Sequence, residues 1–307
     1  MIVCCGEALI DMLPRRLADG GPAFAPHAGG AVFNTAVALG RLGVSASFFT
    51  GLSTDFFGDR LRAELEASGV GLAHVRFSDR PTTLAFVKLA DGQASYAFYD
   101  ENSAGRMLTQ ADLPTLSDEV AALHFSCISL IPEPCGSTYE ALMRREHGGR
   151  VTMLDPNIRA AFVADREKHL ARMRRMIAMA DIVKLSEEDL AWFGEAGPQG
   201  GIAARWLEAG PKLVVVTAGA RGATAYARGA TVTVPAPRVE VVDTVGAGDT
   251  FNAGLLAWLH RAGRLDKAAV AALAPSEIEA ALTLAARAAA VTVSRAGANP
   301  PRLSEIA

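Results

Sequence analysis

Short apolar runs at Ile2–Cys5, Ala46–Thr50, Ala122–Cys127, Val151–Leu154, Ile182–Leu185 and Leu213–Thr217 each precede a stretch whose apolar positions recur at helical spacing. That change of period predicts βαβ crossovers, and so a mostly parallel sheet covered by helices on both faces. One region breaks the rhythm. Thr82–Ala90 and Gln93–Tyr99 are both strand-like, and Asp91-Gly92 between them is a strong hairpin signal. A hairpin that projects from an α/β domain either lies along a sheet edge or covers a cleft. Thr224–Ala227 and Thr231–Val234, joined through Arg228-Gly229-Ala230, predict a second hairpin with a structural role. Phe251, Leu255, Trp258 and Leu259 place a helix from near Gly248, and an Ala-rich helix runs from Ile278 to near Ser294. No repeat or linker divides the chain, so 1–307 reads as one domain.

With 307 residues, half of them hydrophobic, the chain can bury the core of one large α/β domain. Thirty basic against thirty-three acidic residues leave a net charge of −3, which argues against nucleic acid or a membrane surface as partner. The densest basic run, Arg172-Met173-Arg174-Arg175, falls in an amphipathic pattern and reads as a solvated helix face. Cys4, Cys5 and Cys127 sit inside apolar runs, as small buried hydrophobes do. Neither Cys-x-x-Cys nor a paired His spacing suggests zinc. Glu7 and Asp11 interrupt the first apolar stretch, and no long uncharged apolar run follows, so the expected location is the cytoplasm.

Candidate chemistry concentrates at Asp243-Thr244-Val245-Gly246-Ala247-Gly248-Asp249-Thr250-Phe251. A helix that starts there exposes unpaired amides and partial positive charge, and Gly246 and Gly248 let an anion come close. Asp249 stands beside that anion, ionised at neutral pH by the helix start and placed to take a proton from an attacking hydroxyl. The plainer reading makes it a first-turn acid on a structural helix. No Gly-x-x-x-x-Gly-Lys-[Ser/Thr] and no Gly-x-Gly-x-x-Gly after a strand is present, so this turn is the best phosphate device in the chain. Elsewhere the local readings are modest: Asp11 ends an apolar strand, Asn34 caps locally, and Asp155-Pro156-Asn157-Ile158-Arg159 is a turn. Thr217-Ala218-Gly219-Ala220-Arg221-Gly222 is a glycine turn after a strand. Ser186 and Asp189 suit the N-cap and third position of a helix.

The Asp243–Phe251 string resembles the C-terminal signature of the PfkB (ribokinase-like) sugar kinases. Gly29-Gly30-Ala31-Val32-Phe33-Asn34-Thr35-Ala36-Val37-Ala38-Leu39-Gly40-Arg41-Leu42-Gly43 resembles the N-terminal signature of the same family. The resemblance runs from Gly6 to about Pro300. It implies a three-layer α/β/α fold with a mostly parallel central sheet and a small β lid around 8–30 and 80–105. It also implies transfer of the γ-phosphoryl group of ATP to a primary hydroxyl of a small sugar.

Carried over residue by residue, the resemblance makes Asp249 the base and Gly246, Ala247 and Gly248 the anion hole. Asp11, Gly29, Gly30 and Asn34 become sugar contacts, joined by Asn157. Tyr96, Phe98 and Tyr99 alternate on the hairpin, so at least one faces the sugar, and Phe98 is assigned to it. Arg159 holds phosphate or sugar oxygens with its guanidinium fork. Thr217, Gly219, Gly222 and Ser186, with Gly246 and Gly248, border the nucleotide. Asp189 orders the hydration shell of Mg²⁺, and Asp243 organises the turn or helps hold a cation; ATP and Mg²⁺ are the implied cofactors, and K⁺ is left open. Two departures stand out: Ser186 and Asp189 replace the family's Asn-x-x-Glu pair, and Ala286 stands where an Asn is frequent.

The segments Gly6–Met12, Gly29–Ala36, Arg80–Thr83 and Phe98–Asn102 look most like bacterial fructokinases, which implies fructose as acceptor. 2-Keto-3-deoxygluconate and ribose are the alternatives within the family. A catalytically silent sugar-binding protein on the same fold is the alternative from another class, and the intact Asp249 turn speaks against it. The lid is a candidate surface for a homodimer.

Overall fold

Val214, Val215 and Val216 are all buried, Val215 against one layer of helices and its two neighbours against the other. Apolar side chains on both faces of a strand make its sheet the middle layer of three. The computed structural model describes residues 1–90 and 93–306, leaving out the side chains of 87–90 and 93–96.

Strand β1 (Ile2–Cys5) is followed by two long strands, β2 (Leu9–Arg16) and β3 (Pro22–Gly29), before the first helix α1 (Ala31–Arg41). Next come β4 (Ala46–Phe49), β5 (Gly51–Ser53), α2 (Phe56–Ala67), β6 (Val70–Gly71) and β7 (Arg76–Ser78), and then the paired strands β8 (Leu84–Ala90) and β9 (Gln93–Tyr99). The middle of the chain runs β10 (Ala122–Ser126), α3 (Cys135–Glu146), β11 (Val151–Asp155), α4 (Arg166–Met179), β12 (Ile182–Ser186), α5 (Glu187–Trp192), α6 (Gln199–Ala209) and β13 (Leu213–Thr217). It ends with the hairpin β14 (Ala223–Ala227) and β15 (Ala230–Val234) and the helices α7 (Ala247–Arg261), α8 (Lys267–Ala271) and α9 (Pro275–Val293).

Nine strands form the central sheet in the order β15-β14-β13-β12-β11-β10-β1-β4-β6, parallel apart from β14 and β15. Helices α1, α7 and α9 bury one face, and α3, α4 and α6 bury the other. The fold is the three-layer α/β/α arrangement expected from the period of the apolar runs. A second sheet, ordered β3-β2-β8-β9, stands apart from the first.

One expectation needs correction. The run Leu213–Thr217 leads into no helix: Ala218 N donates to Gly222 O at 2.8 Å, and the chain reverses into β14. Strands β2 and β3 fall in the 8–30 segment that the resemblance assigns to the lid, although Pro14, Pro22 and Pro26 interrupt their local pattern. Prolines are tolerable because β3 is an edge and β2 pairs with β8 only over Ile10–Met12. The predicted turn Asp91-Gly92 lies outside the described residues.

The basic run in α4 is also not a solvated face. Arg172 is buried, donating to Glu140, Glu133, Ser137 and the Leu130 carbonyl, while Met173 packs in the core and Arg175 reaches Glu140 at 2.7 Å. Removing one member of a buried charge network strands its partners. Arg172→Met is therefore expected to cost about 3 kcal/mol in urea unfolding, whereas Arg174→Met stays within about 0.5 kcal/mol. Equal effects of the two would contradict the network.

Candidate active site

The carboxyl ends of β1, β10, β11, β12 and β13 open into one cleft of about 1380 Å³, bordered on its far side by the second sheet and by the start of α7. Open α/β sheets bind ligands at this end of their strands. Gly246, at φ 76°, turns the chain into α7 in a left-handed conformation that a side chain would resist. No side chain caps this helix. Ala247 N bonds Thr244 O at 3.3 Å, and the amides of Gly248 and Asp249 have no protein acceptor among the described residues. Two free donors at the positive end of a helix form an anion site facing the cleft.

Asp249 follows at once. It is 7% exposed, its Oδ2 accepts from Asn34 Nδ2 at 2.9 Å, and its carbonyl accepts from Thr35 Oγ1 at 3.2 Å. Burial pushes its carboxyl pKa up to about 7; the Asn34 bond, Lys184 and Arg159 oppose this, and Asp155 adds to it. Full ionisation at neutral pH was the expectation from the helix start, and it does not hold in the ligand-free protein. Desolvation outweighs the helix dipole here.

Beside the second sheet, α1 brings Asn34 to Asp249, and Gly30 at the mouth of α1 lines the same cleft. Asp11 reaches the cleft from β2, with its carboxyl pushed up to about 6 by burial. Gly29 lies outside the lining, and a Cβ there would collide with Asp11 Oδ2, so the glycine leaves room for that carboxylate. Phe98 points into the cleft and packs on Phe162 with ring centroids 4.5 Å apart. Tyr99 faces the opposite side of its strand, 63% exposed, and the Tyr96 side chain lies outside the described residues. Asn157 and Arg159 both line the cleft, yet Arg159 is exposed and donates to Asn157 Oδ1 at 2.6 Å, tying its guanidinium to its own turn.

The other half of the cleft is apolar. Ala286, Ala289, Ala290 and Val293 of α9 face the 236–241 segment, and the Ala286 position is simply part of this wall. Thr217, Gly219, Gly222 and Ser186 line the passage between this wall and the α7 start. Asp189 also lines it, with both oxygens engaged: Oδ2 takes Ser186 Oγ at 2.7 Å in a capping box, and Oδ1 takes Ile158 N at 2.7 Å. Asp243 lies off the cleft lining; it accepts from Val245 N at 3.0 Å and Gly297 N at 2.9 Å, and so organises the turn before α7. Among the described residues, no group of three or more His, Cys, Asp or Glu side chains forms a metal cage.

Two residues escaped the sequence reading. Glu7 is buried beside the α1 start, where its Oε1 accepts from Ala31 N at 2.8 Å and caps that helix through space. Its signal was the acid directly after Gly6, the glycine that follows β1. Lys184 is buried on β12 and donates to Asp155 Oδ2 at 2.9 Å, an oxygen that also accepts from Asn252 Nδ2 at 2.7 Å. A charge inside the apolar run Ile182–Leu185 was its signal.

The pfkB family carbohydrate kinase profile matches residues 1–305. A fructokinase of Rhizobium leguminosarum bv. trifolii is 59% identical over 273 residues, spanning 89% of this chain and 84% of that protein. Fructokinase-1 of Oryza sativa subsp. japonica is 36% identical, spanning 100% and 95%. The crystal structure of a fructokinase from Xylella fastidiosa with bound ATP is similar at a TM-score of 0.91 and 32% identity, covering 99% of this chain and 96% of that one. A Vibrio cholerae O395 fructokinase holding fructose, ADP and calcium gives 0.82 at 29% identity, with coverage of 97% and 94%.

The raised pKa of Asp249 has a consequence for stability. Between the ordinary 3.8 and about 7 the folded protein holds a proton that the unfolded chain releases, so stability falls as pH rises across that window. Asp249→Asn removes the effect. In urea unfolding without ligands the variant is expected to exceed the wild type at pH 8 by on the order of 1–3 kcal/mol and to match it near pH 4. A variant less stable than the wild type at pH 8 would contradict the buried, raised carboxyl.

Proposed function

We propose, for a chain that belongs to the pfkB family of carbohydrate kinases, that its substrates are ATP and fructose and its products ADP and fructose 6-phosphate. The observation that carries the reading is Asp249: a buried carboxyl beside two free helix-start amides, opening on the same cleft as Asp11 and Asn34. The 59% identity to a fructokinase supports the choice of sugar.

In this reading the triphosphate runs from the α7 start past Thr217, Gly219 and Gly222, and the base rests on the apolar wall of α9. The sugar sits between Asp11, Gly30, Asn34 and Phe98. Asp249 takes the proton of the attacking hydroxyl as its oxygen bonds to the γ-phosphorus. The bond from that phosphorus to the bridging oxygen breaks, and its electron pair leaves with ADP. Such a transfer is driven by positioning and electrostatics rather than by covalent help from the protein. Phe98 packed on Phe162 excludes water over the sugar, which favours transfer to sugar over hydrolysis.

Among the described residues the cleft offers carboxylates but no cage of them, so Mg²⁺ would be held chiefly by the phosphates and by water. It would neutralise phosphate charge. Asp189, with both oxygens already bonded, acts on its waters at most, and Glu188 lines the same passage. Any K⁺ dependence would act through the Asp243 turn. Four buried, unpaired cysteines support a cytoplasmic enzyme.

The second sheet is the lid of this enzyme and also its dimer surface. On its outer face Phe24, Phe86 and Tyr99 meet edge to face with centroids 5.0 and 5.4 Å apart, leaving Phe24 47% exposed. Light scattering is expected to report a dimer for the wild type and a monomer for Phe24→Ser/Tyr99→Ser. A monomeric wild type would remove the proposal.

In a coupled ADP-release assay, kcat/KM for fructose should exceed that for ribose and for 2-keto-3-deoxygluconate by well over tenfold, since misplaced hydroxyls leave buried polar groups unpaired. Asp249→Asn should lower kcat by about 10²–10⁴ with ATP affinity largely retained. Preference for the acid sugar would reassign Arg159 as a carboxylate clamp. A variant keeping half of wild-type kcat would sink the role of Asp249.

A further inference from the structure

We propose that Lys184 is a catalytic residue: its ammonium lies beneath the first turn of α7 and contacts the phosphoryl group in transfer, while Asp155 and Asn252 hold it in place. The inference rests on the kinase reading above and names the positive charge that reading needs.

Geometry places the ammonium at the anion site. A Cβ built on Gly248 would lie 3.1 Å from Lys184 Nζ, so the charge sits directly against a residue whose amide is free toward the cleft. Lys184 itself lines that cleft. The missing side chain at position 248 leaves the space between ammonium and anion clear.

Hydrogen bonding leaves the ammonium unfinished. It has three protons to donate, and Asp155 Oδ2, at 2.9 Å, is its one acceptor among the described residues. That oxygen is shared with Asn252, whose amide donates at 2.7 Å. The Lys184 and Asp155 side chains are 5% and 1% exposed, and Asp155 Oδ1 and Asn252 Oδ1 have no partner among the described residues. A buried cation with two idle donors is costly unless an anion arrives to use them. A γ-phosphoryl group on the free Gly248 and Asp249 amides would be that anion. Arg159 and Arg238, the other cations that line the cleft, are both exposed, and Arg159 is bonded to Asn157.

The competing account makes Lys184 a structural counter-ion for Asp155. In that case neutralising both partners together costs little, since buried ion pairs are often replaceable by neutral groups. Lys184→Met alone would strand Asp155, so the informative variant is Lys184→Met/Asp155→Asn, compared with Asp155→Asn. Turnover of ATP and fructose is measured with thermal stability and the affinities for ADP and for a non-hydrolysable ATP analogue.

The double variant is expected to regain the melting temperature lost in Lys184→Met, yet to turn over about 10²-fold more slowly than Asp155→Asn. Its preference for the triphosphate analogue over ADP should fall at least tenfold, a readout that survives even where turnover is lost in both variants. Turnover within threefold of Asp155→Asn, or an unchanged analogue-to-ADP affinity ratio, would overturn the assignment. Failure of wild-type protein to phosphorylate any sugar would instead overturn the kinase reading on which it rests.

Discussion

Everything in the cleft turns on keeping one carboxyl dry at the start of a helix. Helix α7 offers Asp249 a favourable potential, but burial penalises its charged form more, so the pKa rises to about 7. In the proposed role of proton acceptor, a carboxyl with that value is matched to neutral pH, strong enough to accept a proton and still deprotonated in useful proportion. The neighbours act as fine adjustment: Asn34 and Lys184 favour the anion, and Asp155 disfavours it. Each comes from a different element, so the three-layer packing of α1, α7, β11 and β12 sets the proton affinity of one residue.

The two sheets divide the work of the cleft. The central sheet delivers backbone turns and charges at its carboxyl ends, where parallel strands place every loop on one side. The second sheet adds Asp11 and Phe98 from the other side, which places a carboxyl and an aromatic ring opposite the α7 start. The α9 end of the cleft is lined by small apolar residues, and the glycine turns lie between it and the α7 start.

How much of this could be read from the chain follows from where each signal is local. The sheet was legible because strands buried on both faces are continuous apolar runs, and the α7 turn because its glycines and acid are contiguous. Strands β2 and β3 were legible through the family resemblance alone, since prolines erased their local pattern and β2 also depends on the distant β8. The ionisation of Asp249 was misjudged because desolvation is a property of the assembled fold, whereas the helix dipole is visible in the sequence. Arg172 looked solvated because its partners Glu133 and Glu140 lie on another helix and its approach. Lys184 looked like an exception in a strand until α7 was laid over it.

The pH dependence of kcat/KM for fructose addresses the central claim most directly, because it reports the ionisation of the free enzyme's essential groups. The account predicts a rate that rises with pH, with unit slope on a logarithmic plot, and levels off above a midpoint near 7. A profile already flat from pH 5 to 8 would mean an ordinary, solvated carboxylate, and would contradict the dry base on which the account rests.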